Sequence, residues 1–160
     1  MANITIEYVI LVPLLILQIF LLPYAASLIM STWSTSSETL ALQDACSRVG
    51  SSIQQLCFFL NHASIPTVNV TSSMNIPRFI NNYAYTANAT LASVVSGPSS
   101  NEVLQLTLRL IGNKIFVTSP VDLGQNVRWA SSSSFMSNST TACIRAYKDS
   151  NSVIWLSFGP

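Results

Sequence analysis

Between Tyr8 and Met30 the chain runs for 23 residues without a charge, YVILVPLLILQIFLLPYAASLIM. A helix needs about 20 predominantly apolar residues to cross a bilayer core, so this stretch belongs in a membrane or came from one. It differs from the core of a secretory signal peptide, which is only about 7–15 residues long and follows a basic stretch. No Lys or Arg precedes Arg48, so the positive charge that orients membrane proteins is missing too. A plain membrane anchor fits the length, but Glu7 needs a further explanation. A carboxylate at the border of lipid is expensive without a partner and is by default functional. The nearest cation available to it is an α-amino terminus, the chain's own or a neighbour's. Pairing with a neighbour means assembly.

Glu7 followed by this run, with Pro13 and Leu14-Leu15 inside it, resembles the N-terminus of type IV pilin-like proteins, nearest to the archaeal and Tad-type branch. In that superfamily a prepilin peptidase removes a short basic leader, and the apolar helices then leave the membrane and bundle into a filament core. The resemblance implies that the glutamate, at position five of the mature chain, registers one subunit on the next. Cleavage after Ala2 would start the chain at Asn3 and give Glu7 that register. Otherwise the two-residue offset is real, or upstream processing left Met1 as the mature start. The assembly candidates are Glu7, Tyr8, Pro13, Leu14, Leu15, Phe20, Leu21 and Pro23. Each proline removes a helix hydrogen bond and crowds the preceding turn, which predicts a kink at Pro13 and at Pro23. Kinked helices suit packing around a filament axis, and they are tolerated in ordinary transmembrane helices as well.

Beyond Met30 the apolar positions thin out and become periodic. Leu42, Cys46, Val49, Ile53, Leu56 and Leu60 recur at steps of three and four, one stripe along a helix. Ser34 to Ser37 offers a place for a bend, Gly50 weakens the helix by about 1 kcal/mol relative to Ala, and Pro66 is the first strong terminator. The N-terminal helix is expected over residues 1–62, with an apolar part at 4–33 and an amphipathic half at 34–62 that packs on a head at 66–160. At 1.5 Å per residue such a helix approaches about 90 Å.

The head reads as strands. Leu104, Leu106, Leu108 and Leu110 alternate with Gln105, Thr107 and Arg109, and Gly112-Asn113 turns the chain into Lys114–Thr118 as a hairpin. Further strands are expected at Thr67–Thr71, Tyr83–Val95, Asn126–Ser131, Ala142–Lys148 and Val153–Phe158, punctuated by Gly97-Pro98, Ser119-Pro120 and Asp149-Ser150-Asn151. Met74–Asn82 reads as a loop or a single helical turn. The fold class is therefore α+β: a long kinked N-terminal helix, then an antiparallel sandwich-like head of some seven strands whose inner face covers the helix stripe.

Little in the sequence supports catalysis or a cofactor. His62 is the only histidine and has no nucleophile elbow nearby, so a capping or surface role is expected. The acids Glu7, Glu38, Asp44, Glu102, Asp122 and Asp149 share no metal-ligand spacing, and a site built from Cys57, His62 and Cys143 would lack a fourth ligand. No enzyme, no metal and no cofactor are expected. With a net charge of +1 there is no basic excess for nucleic acid.

Cys46 and Cys57 lie eleven residues apart, about 16 Å along a helix, too far to bridge each other. Cys143 on a strand can reach either in an oxidising exterior, and a Cys57–Cys143 disulfide is slightly favoured. Charged residues make up only 8% of the chain, whereas 37 residues are Ser or Thr, the chemistry of an exterior and often glycosylated protein. Asn69, Asn88 and Asn138 begin glycosylation sequons in the head, and a fourth sequon, at Asn3, abuts the apolar run and is set aside. Ser131–Thr141 is expected to be an exposed loop.

The expected function is that of a structural subunit, inserted in the cytoplasmic membrane before assembly and then polymerised with copies of itself into an extracellular, adhesive pilus-like filament. Its surface receptor stays unnamed. The competing expectation is a monomeric membrane-anchored surface protein or a minor pilus component.

Overall fold

Residues 2–60 hold two prolines and no glycine before Gly50, and they form one continuous α-helix, α1 (Ala2–Leu60), that runs through Pro13 and Pro23. The computed structural model describes residues 2–62, 67–94, 101–124, 126–130 and 133–159, of which 2–8, 93–94 and 101–102 are described by their backbone only. Pro66, Gly97-Pro98 and Val95 fall outside the described residues. The segment Ser34–Ser37, a candidate bend by its sequence, is helical. Hydroxyls along this part of α1 bond back to the helix: Ser31 Oγ and Thr32 Oγ1 donate to the Leu28 carbonyl at 2.9 and 2.8 Å, and Thr35 Oγ1 donates to Ser31 O at 2.9 Å. Such bonds let hydroxyl side chains stay in a helix interior instead of breaking it.

The chain divides into two compact units, Met1–Ser37 and Glu38–Pro160. In the second, Leu42, Cys46, Val49, Ile53, Leu56 and Leu60 are all buried in the core. That core also takes in Leu104, Leu106, Leu108 and Leu110, so the helix stripe and the alternating strand share one apolar interior.

Among the described residues eight strands follow the helix: β1 (Val68–Ser73), β2 (Tyr85–Val94), β3 (Asn101–Leu110), β4 (Phe116–Asp122), β5 (Val127–Trp129), β6 (Ser134–Met136), β7 (Cys143–Lys148) and β8 (Ile154–Gly159). They form two four-stranded sheets, ordered β1-β7-β8-β5 and β4-β3-β2-β6. All pairings are antiparallel except β5 with β8. The architecture is α+β, a long N-terminal helix followed by antiparallel-rich sheets. Phe158 of β8 meets Phe135 of β6, in the other sheet, edge to face at 4.9 Å, and Trp129 of β5, in its own sheet, at 4.8 Å.

Two local expectations are corrected, and a third, Met74–Asn82, is settled as a loop and not a helical turn. Ser119-Pro120 does not punctuate but lies inside β4, an edge strand, where a missing backbone N–H costs no ladder bond. Part of Ser131–Thr141 is not a loop: β6 pairs with β2 and sinks Phe135 into the core, and Ser137 just after it is buried as well. The end of Met74–Asn82 is a two-residue turn. Ile80 and Tyr83 exchange backbone hydrogen bonds at 2.9 Å, with Asn81 and Asn82 at φ 46° and 66°. Two successive positive φ values are what a tight hairpin turn requires, and Asn tolerates them.

Candidate assembly surface

Val9 to Ser37 is the part of the first unit's helix whose side chains are described, and its large apolar side chains are exposed. Leu14, Leu15, Phe20 and Leu21 are 52%, 51%, 72% and 55% exposed, an apolar surface compatible with insertion in a membrane. The most apolar window of this helix has no buried residue, and by length and composition the helix could cross a membrane. Pro13, Ile16, Leu17, Phe20, Leu21 and Tyr24 line a shallow apolar groove of about 590 Å³ along one helix face. Their spacing of three and four residues makes this groove a feature of one helical stripe. A second, more hydroxylated groove follows Pro23, lined by Ala26, Ser27, Met30, Ser31 and Ser34. The sequence candidates Pro13, Leu14, Leu15, Phe20, Leu21 and Pro23 all lie on this exposed helix, while the side chains of Glu7 and Tyr8 fall outside the described ones.

From Glu38 onward the stripe of α1 from Leu42 to Leu60 is buried in the second unit's core, while Leu40, Phe58 and Phe59 stay exposed. Glu38 is buried at 6% exposure and accepts from Asn81 Nδ2 at 3.4 Å and from Asn113 Nδ2 at 3.1 Å. Two turns therefore clasp one carboxylate, the Asn81-Asn82 turn and the β3–β4 turn, where Gly112 has φ 88°. At the other end of the same helical segment, Lys148 Nζ donates to the Leu60 and His62 carbonyls. His62 is itself exposed, and its part in this contact is played by its backbone. Neither clasp is among the sequence candidates. The Asn81-Asn82 pair is a turn signal available for the first, and the parity of Lys148 with Ile144 and Ala146 for the second.

The three sequon asparagines are exposed: Asn69 in β1, Asn88 in β2 and Asn138 in the turn after β6. The cysteines are all free thiols, so the expected Cys57–Cys143 link is not formed in this structure. Strand parity gives the physical reason. Ile144, Ala146 and Lys148 face the core from β7, which turns Cys143 to the outer face, whereas Cys46 and Cys57 lie in the core on α1. Cys46 donates weakly to Leu106 O at 3.7 Å. Burial pushes the Cys46 and Cys57 thiols up to about 11. Among the described residues no three His, Cys, Asp or Glu side chains gather as a metal site.

The ion pair of Arg48 with Asp44 at 2.9 Å is an exposed pair one helical turn apart and contributes little to stability. What distinguishes the molecule is thus an uncovered apolar helix on a charge-poor protein whose second unit buries its own core. No protein family, curated protein or solved structure matches the chain.

Proposed function

We propose that this chain is a pilin-like structural subunit that polymerises with copies of itself, through the apolar part of α1, into an extracellular filament serving adhesion. The observation that carries this reading is the exposure of the apolar side chains from Val9 to Met30, in a chain whose second unit completes its own core without them. Such a surface leaves water either for lipid or for like helices, and both occur in a subunit stored in the cytoplasmic membrane before assembly. Kinks at Pro13 and Pro23 and a sandwich-like head belong to the same reading, as do sugars on the exposed asparagines. The subunit is no enzyme in this reading and takes no cofactor.

Glu7 separates polymer from monomer. A membrane-anchored monomer gains nothing from a carboxylate beside its apolar run, whereas a filament can pair it with a neighbour's α-amino group. Replacing Glu7 by Ala is expected to leave a folded, membrane-inserted subunit and to abolish filaments in sheared cell-surface material viewed by electron microscopy. Unchanged filament yield from Glu7→Ala would remove the role of Glu7, and wild-type chain found only as membrane-bound monomer would favour the anchored surface protein.

A further inference from the structure

Across the outer face of the β1-β7-β8-β5 sheet, the register sets four exposed residues side by side, one per strand. Asn69 lies opposite Tyr147, Tyr147 opposite Trp155, and Trp155 opposite Arg128. Strand parity turns this row away from the core, because the residues flanking it in β7, β8 and β5 are buried. Tyr147 and Trp155 are nevertheless 40% and 43% exposed, two large rings next to each other. An adjacent pair of this kind has a broad apolar face with a polar handle, suited to a partner that is itself half apolar and half hydroxylated.

What covers the pair is marked in the same row. Asn69-Val70-Thr71 is a sequon, and Thr71 lies exposed on the same face, opposite Arg145. We propose that Asn69 carries an N-linked glycan whose first sugars lie across Tyr147 and Trp155, with Arg128 at the far end of the track. Neighbouring strands are about 4.8 Å apart, so Tyr147 sits about 5 Å and Trp155 about 10 Å across the sheet from Asn69. One pyranose ring spans roughly one such step. A pyranose stacks its C–H face on the electron-rich face of an aromatic ring and turns its hydroxyls outward at the edges. There the five N–H donors of Arg128 meet hydroxyl acceptors. The other sequons lack this track: Asn88 has Thr107 and Ser134 as its cross-strand neighbours, and Asn138 lies in a turn.

The donor is a lipid-linked saccharide diphosphate on the outer side of the membrane. The bond from the anomeric carbon to the phosphate oxygen breaks, the bond from that carbon to Asn69 Nδ2 forms, Nδ2 loses one proton, and the diphosphate leaves with the electron pair. No electrons are gained or lost overall. The proposal rests on the exterior location of the head and not on polymerisation, so material from membranes and from filaments serves equally.

The test is peptide mass spectrometry of the full chain taken from its native cells, followed by thermal unfolding in detergent before and after enzymatic removal of glycans. Asn69 should be occupied. Glycan removal should lower the Tm of the wild-type chain by roughly 2–4 °C, the scale of one aromatic contact in a chain of this size. Asn69→Gln and Thr71→Ala, both at exposed positions, should reproduce that loss without touching the rings. In Trp155→Ala and Tyr147→Ala the effect of glycan removal should shrink to half or less, and either variant that folds is sufficient. An unmodified Asn69 overturns the proposal, as does a Tm loss of equal size with and without the rings. Protection of Trp155 that appears only in filaments, with Asn69 bare, would assign the row to a contact between subunits and overturn it too.

Discussion

Lys148 Nζ, on the inner face of β7, donates a hydrogen bond of 2.8 Å to the carbonyl of Leu60, the last residue of α1. The last carbonyls of a helix have no partner within it, and a cation there also answers the negative end of the helix dipole. Lys148 is buried at 6% exposure, so the contact is sheltered from solvent. It joins residues 88 positions apart, which makes the head's β7 strand the cap of its helix.

Replacing Lys148 by Met keeps the aliphatic stem and removes the donor. The Leu60 carbonyl is then left buried without its charged partner, and stability should fall by about 1–3 kcal/mol. The measurement is the urea midpoint of the detergent-solubilised chain. Lys148→Arg should recover part of the loss, because it restores a cation with several donors, and an unchanged midpoint in Lys148→Met would show that the cap carries no weight.

Gly50 on α1 faces Val121 of β4: a Cβ built on it would come within 3.1 Å of Val121 Cγ2. A methyl group there has two opposed effects, a gain of about 1 kcal/mol in helix propensity and a crowded contact. Gly50→Ala is therefore expected to be nearly neutral. Gly50→Leu should destabilise the chain by roughly 1–3 kcal/mol through overpacking. Adding Val121→Ala should restore part of that loss, and a double-mutant cycle reads the coupling directly. Additive effects would mean that Gly50 and Val121 do not meet.

Alkaline pH should weaken the fold. Burial raises the Cys46 and Cys57 thiols from the ordinary 9.0 to about 11, and the Tyr85 phenol from 10.0 to about 12. In each case the folded state holds its proton more tightly than the unfolded state. The stabilisation is fully present below about pH 9 and is lost as pH rises through 9 to 12. The urea midpoint should be flat from pH 7 to 8.5 and fall above 9, less steeply in Cys46→Ala and Cys57→Ala. Thiol alkylation at pH 8 should label Cys143 first, since Cys46 and Cys57 are buried and protonated.

The helix was legible because its signals are local and repeated: an uncharged run, then Leu42, Cys46, Val49, Ile53, Leu56 and Leu60 at helical spacing. Seven strands were legible for the same reason, their alternation lying within a few residues. β6 was not, because SSSSFMSNSTT offers one core ring, Phe135, among hydroxyls, and only its pairing with Thr86–Asn88 makes it a strand. Register, too, escapes a reading by spacing. Cys143 is the right kind of residue for a disulfide, but a strand has two faces, and which one Cys143 takes is set by the burial of Ile144 and Ala146. The Glu38 clasp needs two turns that are distant in sequence to arrive at one carboxylate, which no local pattern encodes.

Severing the chain before Ser34 tests how far the two units are independent. The cut removes the whole uncharged run and keeps Glu38 to Leu60, the part of α1 that belongs with the strands in one compact unit. The fragment retains the Glu38 clasp, the Lys148 cap and every residue of the buried core, so it should fold. It loses the exposed apolar side chains from Val9 to Met30, so it should be a monomer in sedimentation where the full chain requires detergent or assembles. Its circular dichroism should be β-dominated with a single helix running to Leu60. Solubility is the harder requirement, since a protein with 8% charged residues has little to keep copies apart, and glycans on Asn69, Asn88 and Asn138 should raise it. A mainly helical spectrum would overturn the fold. Filaments formed by the fragment alone would show that polymerisation does not run through the apolar helix, because the association would then have to come from the head.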